Sequence, residues 1–340
     1  MFDEQSFALL EDSKGRLVQG IGPFIESSFP SEEGASFYLN DFNLSNEKPW
    51  LIPSDFVVLD TDDSFFKTES YQGELEWIDP EIDLFSEQFN SIKDSMSSTE
   101  LLKTVPVTVS KSKINNFSSI FPKIIKNGVK INGPSHFYAY RNSSYGFAGL
   151  SPEILFEIND NKLRTMALAG TTQSDELESF INDQKEINEH QIVVDSLRRR
   201  LSEFGTIVES ERKTLNLGGI THFLTEFEVT LGEFPSISHI LKQIHPTPAI
   251  GTVPRNKNTL NSLNMLRKKS ESPSMFAAPF GVKIDRDFIS YIMIRGVFLD
   301  ENTISLPTGC GITINSNLHS EWDELALKRL WVKDAFGLNL

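Results

Sequence analysis

Two pairs of glutamates stand out by their spacing. Glu186 and Glu189 are three residues apart, as are Glu321 and Glu324, and each pair lies in a stretch with helical periodicity. On a helix, residues three apart share a face, so each pair presents two carboxylates side by side. If the two faces meet, they offer an oxygen-only donor set, which suits a hard divalent cation such as Mg²⁺. The same spacing also describes a solvated acidic face, and 47 acidic residues make such pairs common. Glycines form a second group. Gly309 and Gly311 follow a strand-like run in Pro307-Thr308-Gly309-Cys310-Gly311-Ile312, and Gly170 precedes Thr171 in Leu168-Ala169-Gly170-Thr171-Thr172. Glycine lets backbone N–H groups approach an anion closely, although tight turns use it equally. Neither segment carries the GxGxxG or GK[ST] pattern of a nucleotide loop. Lys103 stands ahead of an apolar run, and Glu153 follows Ser151-Pro152. A buried lysine can serve as a general base, and a carboxyl kept neutral as a general acid. Both types are also ordinary surface residues. His222 and His245 lack metal-ligand spacing, and Cys310 reads as a small buried residue.

The surrounding composition narrows the partners. The chain has 340 residues, with 47 Asp and Glu against 32 Lys and Arg, a formal charge of −15. That balance excludes a nucleic-acid binder, which needs a basic stripe, and argues against an anionic membrane surface. It leaves open a small anionic substrate, because local cations or a metal can overrule the global sign. A 39% hydrophobic, 23% charged mixture predicts a large core. The single cysteine cannot form an internal disulfide. With no signal-like start and no apolar run long enough for a bilayer, a cytoplasmic protein is expected.

These residues need elements to position them. Short β-like runs, Ser36 to Leu39 and Phe56 to Leu59, occupy the first 95 residues, and Lys93 to Thr99 reads as a connection. Val105 to Val109, Phe137 to Tyr140 and Ile154 to Ile158 read as strands, and Ile114 to Ile125 as an amphipathic helix stopped near Gly128. Helices are predicted over Lys185 to Phe204, with Arg198, Arg199 and Arg200 complementing its dipole, and over Ser320 to Phe336, capped by Ser320 or Asn317. Ser290 to Leu299 and Thr303 to Leu306 read as strands between them. Without regular βαβ alternation, the pattern favours α+β.

Taken in order, the segments resemble the chorismate-utilising enzymes. Gly149-Leu150-Ser151-Pro152-Glu153 is similar to their G-x-SPE segment, Leu168-Ala169-Gly170-Thr171 to their LAGT loop, and Lys185-Glu186-Ile187-Asn188-Glu189-His190 to their KExxEH helix. His245 to Arg255, reading HPTPAIGTVPR, resembles the HPTPAVGGxPR segment of isochorismate synthases. His222-Phe223-Leu224, Phe276 to Gly281, Ile294-Arg295, Gly309 to Ile312, and Glu321 to Glu324 with Lys328 complete the set. The resemblance runs from about Leu101 to the C-terminus and is nearest to the isochorismate synthase branch.

The resemblance implies an anthranilate synthase component I-like fold of layered, mostly antiparallel sheets flanked by helices. Residues 1–95 would form a short, divergent N-terminal part and residues 96–340 the catalytic region. Glu189 and Glu324 would bind Mg²⁺, supported by Glu186 and Glu321. Arg295 would pair with the enolpyruvyl carboxylate of chorismate. Gly170, Thr171, Gly309 and Gly311 would line the site with amides, Lys328 would add positive charge, and His222 would face the substrate. Glu153 would protonate the departing C4 hydroxyl, and Lys103 would activate the water that attacks C2. Such an enzyme would feed menaquinone or siderophore synthesis. A salicylate synthase, an ammonia-using synthase and a silent chorismate-binding protein are the alternatives. Lys103 argues against the ammonia-using branch and its glutaminase partner. Departures include Met166 in place of a frequent Glu, and Thr104-Val105-Pro106-Val107 after the lysine.

Overall fold

The computed structural model describes residues 6–59, 74–115, 117–131, 133–232 and 235–339. The first strands are β1 (Phe7–Glu11), β2 (Leu17–Ser27), β3 (Ala35–Leu39) and β4 (Trp50–Leu59), followed by α1 (Ile82–Ser98). Next come β5 (Lys103–Thr104), β6 (Val107–Lys113), α2 (Phe117–Val129), β7 (His136–Arg141), β8 (Gly146–Ser151), β9 (Ile154–Asn159) and β10 (Lys162–Gln173). After the short α3 (Leu177–Phe180) run α4 (Gln184–Leu201), β11 (Gly205–Glu209), β12 (Lys213–Asn216), β13 (Ile220–Leu231) and α5 (Ile237–Ile244). The remainder is β14 (Thr252–Val253), α6 (Lys257–Lys269), β15 (Pro279–Ile284), β16 (Asp287–Ile292), β17 (Gly296–Leu299), β18 (Thr303–Gly309), β19 (Ile312–Thr313) and α7 (Leu318–Phe336).

Among the described residues, a 16-stranded antiparallel sheet carries the fold, in the order β11-β13-β10-β9-β16-β15-β3-β4-β2-β1-β7-β8-β17-β18-β6 with β12 beside β13. Strands β1 to β4 therefore lie inside it, between β15 and β7. A second, three-stranded sheet joins β14, β5 and β19. Period-two alternation buries both faces of the large sheet. Strand β7 sends Phe137 and Ala139 into one core and Tyr138 and Tyr140 into the other, and β1 divides Phe7 and Leu9 from Ala8 and Leu10 in the same way. The sheet also rolls up. Phe147 on β8 and Phe280 on β15 are six strand spacings apart along it, about 29 Å if it were flat. Their ring centroids are 5.4 Å apart. Helix α4 packs on β10 and β13, and α7 packs on α1, α2 and β18.

Helix starts follow the side chains available. Asp183 caps α4 by accepting from the amides of Lys185 and Glu186, and Asn317, not Ser320, caps α7. Three expectations need correction. Lys93 to Thr99 is not a connection, because α1 continues through Ser98. Phe85, Phe89, Ile92 and Met96 recur at helical spacing and are buried, and the serines of its last turns face outward. The single strand expected from Ser290 to Leu299 is broken at Met293–Arg295, where the Ile294 amide turns back to Ile292 O and Arg295 takes φ +54°. The strand expected from Val105 starts later: β6 begins only at Val107, and Lys103 and Thr104 ahead of it belong to the small sheet.

Phe37 shows how much the N-terminal strands contribute. It is fully buried and its ring meets those of Phe24 and Phe280. Replacing Phe37 by Ala should cost about 3–5 kcal/mol in chemical denaturation, the usual loss for an emptied aromatic core site.

Candidate active site

The residues singled out by type and spacing gather at one place. A single cavity, open at its mouth, is lined by Lys103, Glu153, Gly170, Thr171, Glu189, His222, Arg295, Gly309, Gly311, Glu324 and Lys328. Glu186 and Glu321 stand beside it, joined to Glu189 through Lys185. The Lys185 ammonium is 2.7 Å from Glu186 Oε1, 2.9 Å from Glu321 Oε1 and 3.6 Å from Glu189 Oε2. Spacing does make α4 and α7 present their carboxylates to each other, and a lysine at the start of α4 lies between them.

Each charged group has a partner drawn from another element. Lys103, on β5, is 1% exposed and its Nζ stands 3.0 Å from Glu189 Oε1 on α4. Gly311, between β18 and β19, leaves room for this pair, since a Cβ there would lie 2.2 Å from Glu189 Oε1 and 2.6 Å from Lys103 Cε. On α7, Lys328 donates to Glu324 one turn before it and to the Gly309 carbonyl. Burial pushes Glu324 upward, but Lys328 and Lys185 overcome it and hold its carboxyl well below the usual range. Burial, with Glu324 adding to it, raises Glu321. Burial, with Glu189 adding to it, raises Glu186.

The glycine segments do something narrower than expected. Gly170, at φ +74°, forms a bulge in β10 against β13. The bulge turns the Thr171 amide onto Glu186 Oε2 at 2.8 Å and its hydroxyl onto Glu324 Oε1 at 3.1 Å. That amide is therefore a carboxylate holder and not a free donor for substrate. His222 also takes a supporting role. Its Nδ1 meets the Gly170 carbonyl at 2.9 Å, so this nitrogen carries the proton and Nε2 accepts from Arg295 Nη2 at 3.2 Å. Burial, then Arg295 and Lys328, lowers His222 to about 3 and keeps the ring neutral. Arg295 owes its inward aim to the strand break. Its Nη1 is buried without a hydrogen-bond partner among the described residues, the state of a fork awaiting a planar anion.

Glu153 sits between β8 and β9, 2% exposed. Ser151 Oγ bonds its amide and its carbonyl, both at 3.2 Å, and the Ile292 amide also reaches that carbonyl. Burial raises its carboxyl from 4.5 to about 7, against the opposing pull of Thr247 and Lys103. Two participants escaped the sequence reading as individual residues. Lys185 and Thr247 lie inside segments read as motifs, and only tertiary contact shows what each side chain meets.

Four carboxylates, three of them buried, suit a hard cation, and Glu321 Oε2 is buried without a hydrogen-bond partner among the described residues. As placed, no three acidic, His or Cys side chains among the described residues close to metal-ligand spacing. Lys185 is the cation in their midst.

A rolled antiparallel sheet brings a buried carboxyl, a buried lysine and a buried arginine with an unpartnered Nη1 to one cavity, residue types able to do acid–base chemistry on an anion. Residues 60–336 match the family described as "Chorismate binding enzyme", and the chain belongs to that family. It is 26% identical over 261 residues to the "Salicylate biosynthesis isochorismate synthase" of Pseudomonas aeruginosa, covering 72% of this chain and 54% of that protein. It is 27% identical over 247 residues to "Isochorismate synthase MenF" of Haemophilus influenzae, covering 68% and 56%. The chain thus spans about half the length of these curated relatives. Its fold matches the crystal structure titled putative 2,3-dihydroxybenzoate-specific isochorismate synthase, DhbC, from Bacillus anthracis. The TM-score is 0.79 at 17% identity, with 100% of this chain and 98% of that one covered. No helix among the described residues is long and apolar enough to cross a membrane.

The raised Glu153 has a consequence for stability. A carboxyl raised to about 7 in the folded protein, from 4.5 otherwise, contributes stability in full below pH 4.5 and loses it as pH rises through 7. Glu153→Gln should therefore reduce the fall in unfolding free energy between pH 4.5 and 7, read by chemical denaturation across that range. Parallel curves for variant and wild type would contradict a neutral buried carboxyl.

Proposed function

We propose that this protein converts chorismate to isochorismate with the aid of Mg²⁺. The carrying observation is that Lys103 and Glu153, the implied base and acid, line the same cavity as Arg295. The relatives' printed names, isochorismate synthases in both cases, favour water over ammonia as the nucleophile. Lys103, after giving its proton to solvent, takes one from water as the water adds to C2. The ring double bonds shift, C4–O breaks, and Glu153 gives its proton to the departing hydroxyl, which leaves as water. Solvent then returns a proton to Glu153 and removes one from Lys103, so atoms and charge balance over the cycle.

Binding falls to the rest of the site. Arg295 has one half of its guanidinium fixed by His222 and the other open to a substrate carboxylate. Glu189 and Glu324 would hold the Mg²⁺, with Glu186 and Glu321 beside them, once Lys185 Nζ moves aside. When bound, the cation supplies countercharge for a second substrate carboxylate. Cations therefore meet a dianion locally despite the chain's net charge of −15.

Incubation of the purified protein with chorismate and Mg²⁺ should yield isochorismate on chromatographic separation. Salicylate as the main product would move the assignment to a synthase that also eliminates pyruvate, and unchanged chorismate would sink the enzyme reading. Lys103→Ala should abolish turnover, lowering kcat by on the order of 10²-fold or more, while largely sparing chorismate binding. Gly311→Ala should cut kcat by pushing the Lys103–Glu189 pair apart. Full activity in that variant would show that the pair is not the working arrangement.

A further inference from the structure

Three cations, one buried and two half-buried, take no part in the scheme above. Arg200, Arg255 and Arg267 converge with His245 on the segment from Ile244 to Arg255. Arg200, expected to serve the dipole of its own helix, instead reaches across to the carbonyls of Ile244 and Pro246, at 2.8 and 2.6 Å. Arg255 donates to the His245 carbonyl, and His245 Nε2 meets the Phe42 carbonyl at 2.8 Å. Arg267 lies over the Phe42 ring, 3.9 Å from its centroid. Two arginines thus hold the carbonyls of one short stretch of backbone, and the His245 ring anchors it to Phe42, whose own ring Arg267 covers. At its middle stands Thr247, 1% exposed, whose hydroxyl donates to Glu153 Oε1 at 2.9 Å.

We propose that Thr247 is a positioning residue that fixes which oxygen of Glu153 carries the transferable proton. A hydroxyl donating to Oε1 makes it the carbonyl oxygen of the neutral carboxyl and leaves the proton on Oε2. When the proton departs, the same hydrogen bond remains and stabilises the carboxylate formed. Arg200, Arg255 and His245 fix the backbone leading into the threonine, so the acid's orientation is set without substrate. The charged and titratable groups sharing the Glu153 cavity are Lys103 on β5, Glu189 on α4, His222 on β13, Arg267 on α6, Arg295 before β17 and the Glu324–Lys328 pair on α7. Among the described residues none of them hydrogen-bonds the Glu153 carboxyl, whereas Thr247 does. The role in proton delivery rests on the proposed function, whereas control of the carboxyl by Thr247 does not.

The test uses Thr247→Val, which keeps the branched shape and removes the donor, and Thr247→Ser, which keeps the donor. Infrared difference titration, assigned with Glu153→Gln, reads the Glu153 carboxyl without turnover. Thr247→Val should shift the C=O band of the protonated carboxyl to higher frequency and move its titration to higher pH, and Thr247→Ser should restore both. With chorismate, Thr247→Val should lower kcat about tenfold, the worth of one hydrogen bond, with KM little changed. The high-pH limb of its rate profile should move upward, and Thr247→Ser should recover the wild-type profile. An unchanged band and titration in Thr247→Val would overturn the proposal, as would equal losses in the Val and Ser variants, which would indicate packing alone. If Thr247→Val fails to fold by circular dichroism, Thr247→Ala removes the donor with less crowding and must show the same band shift. An inactive wild type would remove the proposed function, while the infrared comparison would still decide the role of Thr247.

Discussion

Buried charge must be paired, and most of this site follows from that constraint. Five glutamates, Glu153, Glu186, Glu189, Glu321 and Glu324, converge where water is largely excluded. An unpaired carboxylate there would cost several kcal/mol. The fold answers with Lys103, Lys185 and Lys328, and it draws partners from different elements. Lys103 ties the small sheet to α4, and Lys185 ties α4 to α7. The ion pairs that make the site electrically tolerable also fix the positions of its helices. Removing one lysine would therefore disturb placement as well as charge.

Much of this was legible along the chain. The i, i+3 spacing correctly put Glu186 with Glu189 and Glu321 with Glu324 on helical faces, because side-chain direction on a helix follows from its geometry alone. Strands such as β7 and β9 were legible for a similar reason, as alternating apolar runs. The α1 helix was not, because its outward face is rich in serine and imitates a linker. The break at Met293–Arg295 was hidden by continuous apolar residues on both sides. Lys185 and Thr247 lay within recognisable segments, yet their roles depend on residues as far away as Glu321 and Glu153. Spacing can show which residues share a face, but not what comes to meet that face.

Arg295 illustrates how local conformation supports the site. An arginine at φ +54° carries strain that an uninterrupted strand would avoid. The strain is held by packing on both sides, since the Leu150 amide bonds the Arg295 carbonyl and the Tyr138 hydroxyl bonds the Ile294 carbonyl. What the conformation gains is a guanidinium facing the cavity. A neutral His222 then occupies one Nη and the Trp331 ring lies 5.4 Å from the guanidinium carbon. An anion therefore meets a fork whose orientation is already set.

The same economy separates the carboxyls into two kinds. Glu153 is buried and Glu324 nearly so, but Lys328 stands directly on Glu324 and keeps it ionised. Glu153 receives only a neutral hydroxyl at hydrogen-bond distance, and burial keeps its proton on near pH 7. Residues of one type thus reach opposite states, one ionised and the other keeping its proton, as the proposed cation holder and proton donor require. The difference arises from the partner each meets, an ammonium one helical turn away or a threonine 94 positions along the chain.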